Sequence, residues 1–219
     1  LFTLTEKDQM VYHFDSLYRL STITDRNGNV TTLTYYGTQL GMVSSPDGRD
    51  LIFTYDGSNN RLTETDACGH TTTLQYEPRN LRTTLTNAEQ EVTQWEYYPD
   101  WQLKQTIDPE NYVSSYTYDA ANRRTIETNP LNESTESQYW PDGQLKATIN
   151  PAGDVTTYVY DASNRRVAVV DAEGGITTSV YDGDNLVLAV VDGEGLATSY
   201  TYDALHRQTS LESPEGEIS

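Results

Sequence analysis

Aromatic residues recur along the chain at a nearly constant spacing. Phe14, Tyr35, Tyr55, Tyr76, Tyr97, Tyr118, Tyr139, Tyr160, Tyr181 and Tyr202 lie 21 residues apart in eight of nine intervals and 20 apart in the other. Two residues before these anchors stand Tyr12, Leu33, Phe53, Leu74, Trp95, Tyr116, Ser137, Tyr158, Ser179 and Tyr200, apolar or aromatic in eight of ten copies. A period of two puts such side chains on one face of a strand. The intervening Thr34, Thr54, Gln75, Thr117, Gln138 and Thr201 are polar, which is the alternation of a half-buried strand, and β-branched Thr suits it.

Each anchor is followed by a turn signal, as in Asp56-Gly57-Ser58-Asn59-Asn60, Asp119-Ala120-Ala121-Asn122 and Asp161-Ala162-Ser163-Asn164. Asp and Asn bond nearby backbone and tolerate left-handed geometry. A second strand follows, for example Arg165 to Val170 or Asn185 to Val191, and ends at a second turn with Gly three residues beyond Asp or Asn. Gly28, Gly69, Gly153, Gly174 and Gly195 hold that place, where Gly supplies a positive φ. Pro109, Pro130, Pro151 and Pro214 directly follow the first turn residue, where a fixed φ fits. Turns every ~10 residues without helical periodicity predict an all-β chain of about ten tandem antiparallel hairpins.

The expected architecture is therefore one repeat array over residues 1–219, with about twenty short strands. At about 4.8 Å per strand it would make a strip on the order of 95 Å long, which must twist and curl. Cross-strand aromatic pairs in a stacked tyrosine ladder are expected to supply much of the cohesion. The chain starts at Leu1 and stops at Ser219, just past a turn signal, so it is read as a piece of a longer array.

Composition narrows the partners. Thirty-three acidic against 14 basic residues give a formal charge of -19, which repels phosphate backbones and anionic lipid headgroups, so no nucleic-acid partner is expected. No apolar run approaches the ~20 residues of a membrane helix and no signal peptide is visible, so no membrane insertion is expected. Cys68 is the single cysteine and cannot form an intrachain disulfide; it is read as a bystander thiol.

The unit Tyr160-Asp161 with Asn164-Arg165-Arg166, followed by Asp171, Gly174 and Thr177, resembles the Rhs or YD repeat, and Tyr55-Asp56, Tyr118-Asp119, Tyr181-Asp182 and Tyr202-Asp203 repeat the dipeptide. The resemblance covers essentially the whole chain, with departures at Phe14-Asp15, Tyr76-Glu77, Tyr97-Tyr98 and Tyr139-Trp140. It implies a strip spiralling into a hollow β-shell that encloses a C-terminal toxin, as in bacterial polymorphic toxins and insecticidal toxin complexes, with a related barrel in teneurins. It further implies a structural segment of an exported bacterial protein, secreted or at the cell surface. Its expected partners are a toxin cargo and neighbouring shell segments, with self-association possible through strand edges. The aspartyl self-cleavage motif of bacterial relatives is not matched by Asp108-Pro109-Glu110-Asn111-Tyr112.

No catalytic residue, cofactor or metal is assigned from the sequence. The common nucleophile, zinc and phosphate-loop signatures are missing, and two carboxylates among 33 carry no information without geometry. His13, His70 and His206 are read as surface residues. Asp25-Arg26-Asn27-Gly28-Asn29 and Asp182-Gly183-Asp184-Asn185 gather oxygen donors but complete no calcium loop. The Arg123-Arg124 and Arg165-Arg166 pairs are expected to form surface ion pairs. Trp95, Tyr97, Tyr98 and Trp101 offer stacking surfaces for sugars, which makes an adhesive or carbohydrate-binding protein the alternative function, and an enzyme a distant third.

Overall fold

The computed structural model describes residues 2–216; Leu1 and residues 217–219, the ends of the expected array, lie outside the described residues. These form twenty-one strands, from Phe2–Thr5 to Gln208–Glu212, and no helix. The chain divides into two units, Leu1–Val113 and Ser114–Ser219. Within the first, each strand through Leu103–Ile107 pairs antiparallel with its sequence neighbours. Within the second, the same holds from the strand ending at Tyr118 to Gln208–Glu212. The all-β hairpin architecture expected from the period is the one observed.

Almost every turn has the same frame. The Asp56 N–H donates to the Asn60 carbonyl at 2.9 Å and the Asn59 N–H to the Asp56 carbonyl at 3.2 Å. That pair of bonds closes a three-residue hairpin loop, a type I turn followed by a residue at positive φ. Asn59, Asn122 and Asn164 take that conformation at φ of 67°, 64° and 64°. Tyr18, Gln90, Trp101 and His206 also do so, although their residue types give no such signal. The first turn residue stabilises the loop: Asp56 Oδ1 accepts the N–H groups of Ser58 at 2.8 Å and Asn60 at 2.9 Å. Asn150 does the same for Ala152 and Asp154, both at 2.9 Å. The single 20-residue interval has a direct cause: Tyr36 pairs with Gln39 across a two-residue loop carrying Gly37 at φ 63°.

A feature with no sequence signature accompanies each anchor. Tyr55 faces Arg61 while Thr54 faces Thr63, leaving Leu62 as an extra residue. The same register shift occurs at Phe14, Tyr35, Tyr76, Tyr97, Tyr118, Tyr139, Tyr160, Tyr181 and Tyr202. Such bulges raise local twist and end regular pairing. Thus Gln39–Ser44 and Asp50–Tyr55 ladder only through Met42 to Ser44 and Asp50 to Ile52. The carbonyl left at the anchor end is taken by a tyrosine: Tyr55 donates its hydroxyl to the Leu40 carbonyl at 2.8 Å. Tyr97 bonds Arg82, Tyr139 bonds Arg124 and Tyr181 bonds Arg166 in the same way, at 2.9, 3.0 and 2.9 Å.

Among the described residues, no second layer covers the sheet in either unit. Among described hydrophobic residues only Leu74, 3% exposed, and Ala147, 5% exposed, are buried. The expected aromatic ladder is corrected accordingly. Phe2 and Phe14 do meet, at 5.5 Å, but successive anchors lie two strands apart, about 10 Å, beyond ring contact. Arginines fill the gap: Arg19 lies 4.3 Å from the Tyr35 ring centre, Arg123 4.8 Å from Tyr139 and Arg165 5.0 Å from Tyr181.

Two outcomes are expected. Tyr55→Phe removes only the hydroxyl and should cost about 1 kcal/mol, as a part-buried carbonyl loses its donor; a denaturant midpoint identical to that of the parent would contradict the role. The turn aspartates set the acid limb. Hydrogen bonds from the Asn60 side chain and backbone hold the Asp56 carboxyl below its usual range, the Arg123 side chain and backbone do so for Asp119, and the Arg165 backbone for Asp161. A carboxyl depressed in the folded state stabilises above its unfolded pKa of about 3.9 and loses that contribution as pH falls through the folded value. Thermal midpoints should therefore be flat from about pH 7 to 5 and fall below about pH 4. In a triple Asp56→Asn, Asp119→Asn, Asp161→Asn chain that fall should be shallower, and an unchanged acid limb would count against this assignment.

Candidate interaction surface

The edge formed by the anchor turns links one repeat to the next. Arg165 is the fullest example: its Nε donates to Asp161 Oδ2 at 2.7 Å and its Nη1 to the Asp182 carbonyl at 2.8 Å, above the Tyr181 ring. Arg123 joins Asp119 to the Trp140 carbonyl, at 2.7 and 2.8 Å, and Arg19 joins Asp15 to the Gly37 carbonyl. Where arginine is missing another donor serves. Gln39 reaches Asn59 Oδ1 at 2.8 Å and Asn60 reaches Asn80 Oδ1 at 3.0 Å. Leu81 cannot donate, and there Arg79, two residues earlier, binds the carbonyls of Tyr98 and Pro99 at 3.0 and 2.9 Å.

The arginine pairs therefore divide their work. Arg124 forms the expected exposed ion pair, 3.2 Å from Glu127. Arg123 and Arg165, with side chains 27% and 26% exposed, also form ion pairs, with Asp119 at 2.6 Å and Asp161 at 2.7 Å, and in addition are held against the next repeat. The signal for them was present in the sequence as a fixed offset: Arg19, Arg123, Arg165 and Arg207 each lie five residues after an anchor.

The two faces differ in chemistry. One carries the anchors and their arginines, with Arg61 over Phe53 at 5.7 Å and Arg82 over Trp95 at 4.1 Å. The opposite face is threonine-rich in the first unit, where Thr54 bonds Thr63 at 2.6 Å and Thr65 bonds Thr71 at 2.9 Å. In the second unit the same positions become Val155, Val159, Ile176 and Val180, 42–49% exposed, with Ala168, Val170, Ala189 and Val191 between them. No charged residue interrupts that face from Val155 to Val191.

The remaining sequence candidates are dispersed. His13 lies 3.1 Å from Thr3 Oγ1 and His206 occupies a turn, while His70 lies 3.0 Å from Asp66 and shares a turn with Cys68. Asp25 spends its oxygens on its own turn, accepting from Asn27, and from the backbone and side chain of Asn29. Asp182 Oδ1 likewise accepts from Asp184 and Leu186. Asp108 sits in an ordinary turn, bonding the Tyr112 N–H at 2.8 Å. Of the stacking candidates, Trp95 and Trp101 lie under Arg82 and Arg79. Burial raises the Tyr97 pKa and keeps its hydroxyl a donor. An open depression of about 550 Å³ lies between Trp140, Asp142, Gln144, Tyr158, Tyr160 and Asn164; Gln144 Nε2 there has no partner among the described residues.

Comparison with known proteins agrees with this geometry. The RHS Repeat family matches residues 102–134, 139–176 and 181–218. No curated protein matches. Among solved structures, TcdB2-TccC3-Cdc42 is similar with TM-score 0.64 at 14% identity, over 99% of this chain and 16% of that one. TcdB2-TccC3 without its hypervariable C-terminal region gives 0.61 at 14%, over 96% and 15%. The Photorhabdus luminescens Tc holotoxin pore gives 0.59 at 14%, over 99% and 16%. The chain thus spans about one sixth of the length of the structures it resembles. With the bulged 21-residue hairpin running through both of its units, the chain is an Rhs/YD-repeat protein.

Proposed function

We propose that this array is a structural wall segment of a longer Rhs-type shell that holds a toxin cargo before delivery, and that it is exported as part of that larger protein. The observation that carries this reading is the sheet itself: a single layer with no core of its own and two unlike faces. A wall separating an enclosed space from solvent uses such a sheet as it stands. The uncharged Val- and Ala-rich face from Val155 to Val191 suits weak contact with a non-native chain, which displays apolar segments. The arginine and tyrosine face and the acidic turns suit water. The similar structures, which pair TcdB2 with TccC3, one of them without its hypervariable C-terminal region, support the same reading. Strand Phe2–Thr5, with Phe2 54% and Leu4 44% exposed, offers an edge where a neighbouring segment or a second copy adds by strand pairing.

A second reading, adhesion to carbohydrate, is favoured by the depression at Trp140, where an aromatic face adjoins the Asp142 and Gln144 polar groups. Electron microscopy of the whole gene product, with and without the segment following the array, separates the two. A hollow particle whose internal density depends on that segment is the expected result. An open strip that binds glycans, with binding lost in Trp140→Ala, would replace encapsulation by adhesion.

A further inference from the structure

The turn Asp66-Ala67-Cys68-Gly69-His70 brings a carboxylate, a thiol and an imidazole together on five consecutive residues. One donor atom from each lies within 4.8 Å of the others, and all three residues are exposed. The frame places them. Asp66 Oδ1 accepts the N–H groups of Cys68 and His70, both at 2.9 Å, and Gly69 takes φ +85°. Asp66 Oδ2 is left facing His70 Nδ1 at 3.0 Å.

Sister turns show that this convergence belongs to the frame. The fifth side chain folds onto the first where Asn29 bonds Asp25 Oδ2 at 2.7 Å and where Asn150 bonds Asp154 at 2.9 Å. The third side chain reaches the first where Ser45 bonds Asp47. Positions one, three and five thus share one side of the loop in several repeats. Cys68 is the only cysteine of the chain, so this turn alone adds a thiol to that arrangement.

From this geometry we propose that the turn binds a transition-metal ion of the zinc and cobalt class through Cys68 Sγ, the His70 imidazole and the Asp66 carboxylate. Ligand atoms about 2.0–2.3 Å from such an ion lie roughly 3 to 4 Å from one another, so the 3.0 Å separation of Asp66 and His70 already fits a shared ion. The ion takes the place of the proton between Oδ2 and Nδ1. The imidazole stays neutral with its proton on Nε2, the thiol releases one proton to solvent, and water completes the shell. Thiolate with imidazole selects zinc or cobalt over calcium or magnesium. A depression of about 330 Å³ beside Cys68, lined by Val43, Ser45, Asp50 and Leu51, leaves room for that water. Arg49 also borders it, and its charge is met by Asp47 at 2.7 Å. This site is independent of the encapsulation reading.

The test is a titration of the reduced chain with cobalt(II), followed by absorption and calorimetry, with zinc(II) as competitor. The variants come from the sister turns, so each is known to fit the frame: Asp66→Asn follows Asn150, Cys68→Ala follows Ala152 and His70→Asn follows Asn29. One cobalt per chain with a sulfur-to-metal charge-transfer band, displaced by zinc, is expected. Cys68→Ala should abolish the band, and Asp66→Asn and His70→Asn should weaken binding at least about tenfold. The proposal is overturned by absence of the band in the parent chain, by unchanged affinity in His70→Asn, or by one metal per two chains, which would mean thiolates from two copies.

Discussion

A sheet with one layer has nowhere to hide its apolar surface, and the rest of this structure follows from that constraint. In a two-layered domain, burial of side chains against a second element supplies most of the stabilisation. Here two hydrophobic residues are buried among all those described. Each strand must be held by its lateral neighbours: strands joined by an anchor turn ladder along their length, whereas strands joined by a Gly-type turn pair only near that turn. At the other end the bulges interrupt pairing, and tyrosine hydroxyls and arginine side chains take over. The recurring features of the repeat are therefore directional: tyrosine anchors such as Tyr55 and Tyr181 reach back to a carbonyl of the preceding hairpin, and Arg19, Arg123 and Arg165 reach forward to the next turn.

This accounts for the dipeptide that marks the repeat. Tyr160 and Asp161 are adjacent in sequence but serve different links. The ring lies on the face of the sheet, while Asp161 Oδ1 closes its own turn by accepting from Ser163 and Arg165. Its second oxygen orients the Arg165 guanidinium toward Asp182 and Tyr181. A change at Asp161 would thus be felt at two repeats. Substitutions within the pattern keep the task when they change the residue: Arg79 replaces a donor missing at Leu81, and Asn60 spans to Asn80 where no arginine is present.

The period, the strand alternation and the turn residues were legible in the sequence because each is a local rule read at a fixed offset. Asp56, Asn59 and Gly69 state their turn conformations by residue type. Trp101 and His206 do not, and they adopt positive φ because the surrounding hairpins dictate the loop. The bulge at Leu62 was hidden for a related reason: it depends on how Arg61 and Thr63 register against a neighbour, and nothing in the residue itself records that. The tyrosine ladder was anticipated as ring on ring, but strand spacing forbids contact between successive anchors, and charge on aromatic replaced it. The candidate chemistry was harder still. Asp66, Cys68 and His70 look like scattered surface residues until the turn frame shows that their positions share one side of a loop.

Hydrogen exchange followed by mass spectrometry on the intact chain, with and without Arg165→Ala, tests the central claim of lateral cohesion most directly. If repeats are held chiefly by their neighbours, exchange should quicken in the strands beside the turns at Asp161 and Asp182 and fade with each further repeat. Equal acceleration along the whole of residues 114–216, as from a shared core, would contradict the account, as would no change beyond the Asp161 turn itself.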